Sequence, residues 1–218
     1  MASVELAIKR FFDLVVSSAA LIVLSPIMFL ITFAIKWHDH GPVLFIQPRV
    51  GKDRKIFNCY KFRTMVIGAE SIGNGLTVTA DDSRVTGVGR WLRIWSLDEL
   101  PQFINVLKGE MSIVGPRPWV PIQSSYCSPS DARRFNVKPG LAGWAVVNGR
   151  NRLAWADRVR LDIWYVDHWS LWLDVIIFAK AFVVLLRRDG VYGVVAVGDN
   201  VQLEPVAVAG NAKLEPVA

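Results

Sequence analysis

The chain has 218 residues and a net charge of +6, with a pI near 9.5. It is long enough for one domain with a real core, and its basic surface suits an anionic partner: phosphate, acidic lipid or nucleic acid. Two cysteines and three histidines without metal-ligand spacing exclude a disulfide framework and a zinc module.

Nine tryptophans and a mean hydropathy of +0.33 favour a membrane interface over a nucleic acid, for which no basic-aromatic stacking module is present. Arginines outnumber lysines, 16 to 9, which leans toward bidentate recognition of phosphate or carboxylate.

Residues 14–35, "LVVSSAALIVLSPIMFLITFAI", carry no charge. At ~1.5 Å per residue a straight helix of this length reaches about 33 Å, the thickness of a bilayer core. It is too long for a signal peptide, and no small-x-small cleavage site follows. Ser25-Pro26 interrupts the run. Pro26 leaves the Ile22 carbonyl without its donor, and the Ser25 hydroxyl can re-satisfy it within a bend. Lys9 and Arg10 precede the run, and Lys36, Arg49, Lys52, Arg54 and Lys55 follow it. Positive flanks favour the cytoplasm. A re-entrant helix-break-helix satisfies both flanks, whereas a spanning helix satisfies one.

Residues 43 to 65 predict a β-hairpin around the polar turn "GKDRK". Alternation puts Tyr60, Phe62 and Thr64 on one face, with Lys61 and Arg63 on the other. These two cations form either a solvated edge or a strip facing phosphate or membrane. A polar loop, "GAESIGNGLTVTADDS", precedes a predicted helix over 85–95 with Arg90 and Arg93 on one face.

"SLDELPQF" then opens a helix to about Lys108, with Ser96 and Glu99 as a capping box. Carboxylates in a first turn complement the helix dipole without further purpose. The box leaves Asp98 unused, however, and Pro101 at the fifth position predicts a distorted turn. In "GPRPW", Pro116 and Pro118 stiffen Arg117. A glycine-rich turn region, "KPGLAGWAVVNGRN", includes Arg150.

A charged helix with Asp157, Arg158, Arg160 and Asp162 leads into an apolar segment interrupted by Asp174 and Lys180. Its uninterrupted pieces are too short to span. Trp164, Tyr165, Trp169 and Trp172 read as an interfacial belt, with Arg187 and Arg188 meeting anionic headgroups; a buried core helix is the alternative. Residues 193–218 repeat "LEPVA" and read as a disordered tail or a vector-derived remnant.

"KRFFDL", "LSPIMF", "YKFRTM", "SRVTGVGRWLR", "SLDELPQFINVLKGEMSIVGPRP", "KPGLAGWAVVNGRN" and "WYVDHWSLWLDV" together resemble the bacterial sugar transferase family, the monotopic phosphoglycosyl transferases, in a minimal form. The likeness runs from about Lys9 to Tyr192. It implies transfer of a phosphosugar from a UDP-sugar to a polyprenol phosphate such as undecaprenyl phosphate. UMP is released, and the reaction proceeds through a covalent aspartyl-phosphosugar. In this reading the reaction is the first membrane step of polysaccharide or glycoconjugate assembly.

The resemblance further implies Mg²⁺, with Asp98 as nucleophile and metal ligand and Glu99 as its acidic partner. Arg93, Arg117 and Arg150 match positions that face phosphate or nucleotide, and Ser25-Pro26 matches a re-entrant break. Ala142 and Val146 depart from the family's usual Thr and Gln.

The expected fold is therefore α+β, mostly α. It comprises a re-entrant membrane helix at 14–35, interfacial amphipathic helices and a small β-hairpin, in a single domain over residues 1–192. The expected place is the bacterial inner membrane, with the catalytic domain on the cytoplasmic face against anionic lipid. A homodimer is left open. The rival reading is a non-catalytic membrane-anchored scaffold that binds anionic lipid or a protein partner.

Overall fold

The computed structural model describes residues 3–72, 81–125 and 127–187. Arg188, part of the polar loop and the 193–218 tail lie outside the described residues. The architecture is mostly α with two small sheets, the first of them the expected hairpin.

Helix α1 runs from Ser3 to Asp39 and passes through Pro26. It is the one described helix long and apolar enough to cross a membrane. The Ser25 hydroxyl donates to the Ile22 carbonyl at 2.8 Å, replacing the bond that Pro26 removes.

Both ends of α1 are fixed to the same body. At one end Lys9 donates to the Val114 carbonyl at 2.9 Å and pairs with Asp174 at 2.5 Å. Arg10 donates to the Val106 and Leu107 carbonyls at 2.6 and 2.8 Å. Asp13 accepts from Ser112 Oγ and from the Ile113 backbone N–H. At the other end Ile31 and Ile35 are buried with Phe62 and Leu92, and Asp39 clamps the Arg63 guanidinium through both oxygens. Between them Ile22, Val23, Phe29 and Leu30 stand exposed.

The hairpin forms as predicted. Strands β1 (Leu44–Val50) and β2 (Ile56–Phe62) pair antiparallel, Gln47 opposite Cys59. The face carrying Phe57, Cys59 and Lys61 turns inward, so Lys61 is not on a solvated edge. The strand ends at Phe62. Arg63 therefore leaves the alternation, and Asp39 and the Pro42 carbonyl take its guanidinium. The predicted strip of Lys61 with Arg63 does not exist, because an aspartate partner outweighs a solvated position for Arg63.

Helix α2 (Gly87–Ile94) is capped by Thr86, whose hydroxyl accepts from the Gly89 N–H at 2.9 Å. A Cβ on Gly89 would lie 1.9 Å from the Thr64 carbonyl oxygen, so this helix packs on the hairpin only with glycine there.

Helix α3 (Gln102–Lys108) leads to strand β3 (Ser112–Val114), which pairs in parallel with β4 (Gly140–Ala142). This second sheet was not expected; strands of three residues show no alternation to read. Gly140 and Gly115 meet backbone to backbone, with no room for a side chain on Gly140. Short helices α4 (Pro121–Ser125) and α5 (Trp144–Val147) join these to α6 (Trp155–Asp167) and α7 (Leu171–Arg187).

The main core gathers Val106, Met111, Val114, Tyr165 and Ile177. Tyr165 is a correction to the interfacial belt. It is buried, and its hydroxyl donates to Asp174 at 2.7 Å. Trp169 also donates to Asp174, whereas Trp172 is exposed. Asp174 explains the difference: a buried carboxylate needs donors, and these two aromatics supply them.

Fully buried Asn105 ties α3 to the hairpin. Its Oδ1 accepts from the Tyr60 N–H at 3.0 Å, and its Nδ2 donates to the Asn58 carbonyl and to Glu110 at 2.7 and 2.6 Å. Asn105→Ala strands a backbone donor and acceptor in the core. The expected loss is about 2–4 kcal/mol, read from urea denaturation in neutral detergent; a change within error would mean that water replaces the amide.

Candidate active site

The turn between α2 and α3 carries the two acids. Ser96 reverses the chain in the left-handed region, with φ of 55°, and a 3-10 turn spans Leu97–Glu99. Regular α-helix resumes only at Gln102, after Pro101, so the distorted first turn is present.

The capping box is not. Ser96 makes no side-chain cap, and its hydroxyl accepts from Arg150 Nη2 at 2.6 Å. The Glu99 carboxylate takes Lys61 at 2.8 Å and Arg117 at 2.5 Å. Charge-assisted bonds from three cations outcompete the neutral backbone donors that a box would satisfy.

Four elements therefore converge. Lys61 comes from β2, and the acids come from the turn. Arg117 comes from the proline-bracketed loop after β3, and Arg150 from a 3-10 turn, Arg150–Arg152, that follows α5. Arg93, on α2, donates Nε to Thr64 Oγ1 at 2.8 Å, close enough for its charge to be felt at Asp98. Of the five cations expected at the site, Lys61, Arg93, Arg117 and Arg150 are brought together; Arg63 is not, being held by Asp39.

The two carboxylates have opposite electrostatics. Burial pushes Asp98 up, Lys61 pulls it back, and the Glu99 charge raises it again; the net shift is upward. Burial also pushes Glu99 up, but Arg117 and Lys61 overcome it and hold Glu99 well below the usual carboxylate range. Asp98 accepts no side-chain hydrogen bond among the described residues. Its one ion pair there is with Lys61 Nζ at 3.9 Å. Glu99 is thus saturated with donors while Asp98 keeps its oxygens available to a ligand.

Two contributors escaped the sequence reading. Ser96 was assigned to a cap, since backbone hand is invisible in a single residue. Arg49 sits in β1 and donates to the Pro118 carbonyl at 2.9 Å, bracing the Arg117 loop. Burial, with Arg117 alongside, brings its guanidinium down to about 10. The signal that could have found it is register: Arg49 lies on the same hairpin face as Lys61.

Carboxylate titration by ¹³C NMR should separate the pair. Asp98 should titrate above the ordinary aspartate value of about 3.9 and Glu99 below the ordinary glutamate value of about 4.3. Arg117→Met should move the Glu99 midpoint upward, since the arginine lowers it. Ordinary midpoints for both acids would contradict the described polarity.

Residues 4–188 match a family described as bacterial sugar transferase. The undecaprenyl-phosphate galactose phosphotransferase of Salmonella typhimurium is 42% identical over 200 residues, covering 85% of this chain and 42% of that protein. The undecaprenyl-phosphate glucose phosphotransferase of Komagataeibacter xylinus is 44% identical over 192 residues, covering 83% of this chain and 35% of that protein. An uncharacterised sugar transferase of Bacillus subtilis is 42% identical over 184 residues, covering 84% of this chain and 90% of that one. The chain thus spans less than half the length of the first two and most of the third.

Proposed function

The chain belongs to the bacterial sugar transferase family, and on that premise we propose that it moves a sugar 1-phosphate from a UDP-sugar to a polyprenol phosphate. The observation that carries this reading is the split pair: a buried Asp98 that accepts no side-chain hydrogen bond among the described residues, beside a Glu99 saturated by Lys61 and Arg117.

In the first step an Asp98 oxygen attacks the phosphorus that bears the sugar. The new bond is aspartyl oxygen to phosphorus; the bond broken joins that phosphorus to the bridging oxygen, which leaves on UMP. In the second step an oxygen of the polyprenol phosphate attacks the same phosphorus. The aspartyl bond breaks and the carboxylate returns, so neither step needs a net proton.

Arg93, Arg117 and Arg150 oppose the charge on the transferring phosphates, and Lys61 pulls the Asp98 pKa down against the burial that raises it. Glu99 positions Lys61 and Arg117. Among the described residues no group of three His, Cys, Asp or Glu forms a metal cage. The Asp98 oxygens, left open by the side chains around them, suit Mg²⁺, which takes one or two carboxylates and completes its shell with water and substrate phosphate. When bound there by Asp98, Mg²⁺ would offset negative charge on the phosphates.

The membrane arrangement belongs to the same proposal. Lys9, Arg10 and Asp13 at one end of α1, and Ile35 and Asp39 at the other, all contact one body. A helix that crossed a bilayer would part those ends by about 30 Å of hydrocarbon. This supports a re-entrant α1, entering and leaving on the cytoplasmic face of the inner membrane and holding the site at headgroup level.

Asp98→Asn should lower UMP release more than about a thousandfold, and donor-quenched variant should carry no added mass on the peptide that includes position 98. An adduct on the Asp98→Asn protein would remove the nucleophile. If wild-type enzyme released UMP from no UDP-sugar in a broad panel, the anchored scaffold would be the surviving reading.

Because the Asp98 pKa is raised, UMP release should decline on acidification at a pH above the ordinary aspartate range. Lys61→Met removes a lowering charge, so that limb should move to higher pH; an unmoved limb would assign the titration elsewhere. For the membrane segment, single cysteines at Val4 and His38, in a chain carrying Cys59→Ala and Cys127→Ala, should react with an impermeant maleimide from the cytoplasmic side alone. Reaction from opposite sides would mean a crossing helix.

A further inference from the structure

A cavity of about 360 Å³ opens between the Arg150 turn and α7. We infer that this cavity receives the phosphate of the lipid acceptor, with Lys180 and Arg187 as its binding residues and Arg150 as the link to Asp98. The inference rests on the proposed phosphosugar transfer and deepens it by assigning a place to the second substrate.

Lys180, Val183, Val184 and Arg187 stand at i, i+3, i+4 and i+7 and so form one stripe of α7. All four line the cavity, with Arg150 and Arg152 on the opposite wall. Among the described residues no carboxylate lines it, and none pairs with Lys180 or Arg187.

A wall that brings Lys180 and Arg187 together without a carboxylate partner among the described residues, around a volume of pocket size, fits an anion better than a neutral sugar or a nucleobase. The Lys180 ammonium is already placed, lying 4.9 Å from the centre of the Trp144 ring.

The apolar half of the lining decides which anion. Val146, Val147, Val183 and Val184 complete the walls. Beside the stripe, Phe182, Leu185 and Leu186 are exposed on the same helix. A free phosphate or a nucleotide leaves those surfaces in water. A monophosphate on a long apolar chain covers them, its charge between the cations and its chain running out along α7 into lipid.

Arg150 then connects the two substrates. It lines the cavity and also donates to Ser96, two residues before Asp98 on the same turn. An acceptor phosphate held there shares Arg150 with the turn that carries Asp98.

The test uses the full chain in neutral detergent, with a polyprenyl phosphate as acceptor and a UDP-sugar as donor. The double variant Lys180→Gln with Arg187→Gln should raise the KM for acceptor about tenfold or more. The donor KM and the amount of UMP released in the first turnover without acceptor should stay within about twofold of wild type. An unchanged acceptor KM overturns the cavity as the acceptor site, as does an equal rise in both KM values.

Flotation with phosphatidylglycerol vesicles and competition by inorganic phosphate separate the sources. Loss of vesicle binding in proportion to the KM change would mean that the charges hold bulk lipid instead. Competition by inorganic phosphate at the acceptor's own concentration would mean that the polyprenyl chain is irrelevant. Either result overturns the inference, whereas unchanged flotation and weak competition support it. Failure of the underlying reading looks different, since wild-type enzyme would then release no UMP.

Discussion

The structure turns on the clamp that Lys61 and Arg117 place on Glu99. Two adjacent carboxylates in a buried turn repel, and one must be neutralised by proton or by cation. Here every short bond goes to one of them. Glu99 becomes a fixed anion that staples the hairpin to the loop after β3, while Asp98 is left chemically open. The clamp is supported from behind: Arg49 holds the Pro118 carbonyl, and Asn105 holds β2 against α3. The proline-bracketed arginine is therefore stiff at its backbone and fixed at its guanidinium.

Helix α1 imposes the second constraint. Lys9, Arg10 and Asp13 before its apolar stretch, and Asp39 after it, all point into the body. None of these bonds serves the chemistry directly, yet together they set where the body sits relative to the exposed apolar middle of the helix. Arg10 satisfies the last carbonyls of α3, the helix that the acidic turn leads into. The placement of α1 and the geometry of the acidic turn are thus coupled through the Arg10 guanidinium. Arg63 contributes in the same way, and its place as Asp39's partner makes it an anchor of α1.

Much of this was legible in the sequence because it depends on local pattern. The apolar run with its Ser25-Pro26 pair, the hairpin, the helix over 85–95 and the distorted turn at Pro101 all follow from residue type and spacing. Lys61, Arg93, Arg117 and Arg150 were nameable as candidates, but their convergence was not, since they come from four segments far apart in sequence. The errors share one cause. Ser96, Glu99, Arg63 and Tyr165 each had a satisfactory local role: cap, cap, strand alternation and membrane belt. In each case a tertiary charge or a buried carboxylate offered a stronger partner. Arg150 took Ser96, Asp39 took Arg63 and Asp174 took Tyr165. Local rules fail here where an ion from elsewhere in the chain arrives with a better bond.

The balance of charge around the turn follows from the same contest. Lys61, Arg93, Arg117 and Arg150 surround Asp98 and Glu99, four cations against two carboxylates. The excess of two positive charges is costly in a partly buried site, and burial accordingly lowers Arg150 from its ordinary value. In the proposed reaction that excess would face the two negative charges of a diphosphate diester. Arg117 and Lys61 hold Glu99 charged, which limits that excess. Were it neutral, the excess would be three, Lys61 and Arg117 would lose their anchor, and both would be free to fold onto Asp98 and quench the one carboxylate that the arrangement keeps open.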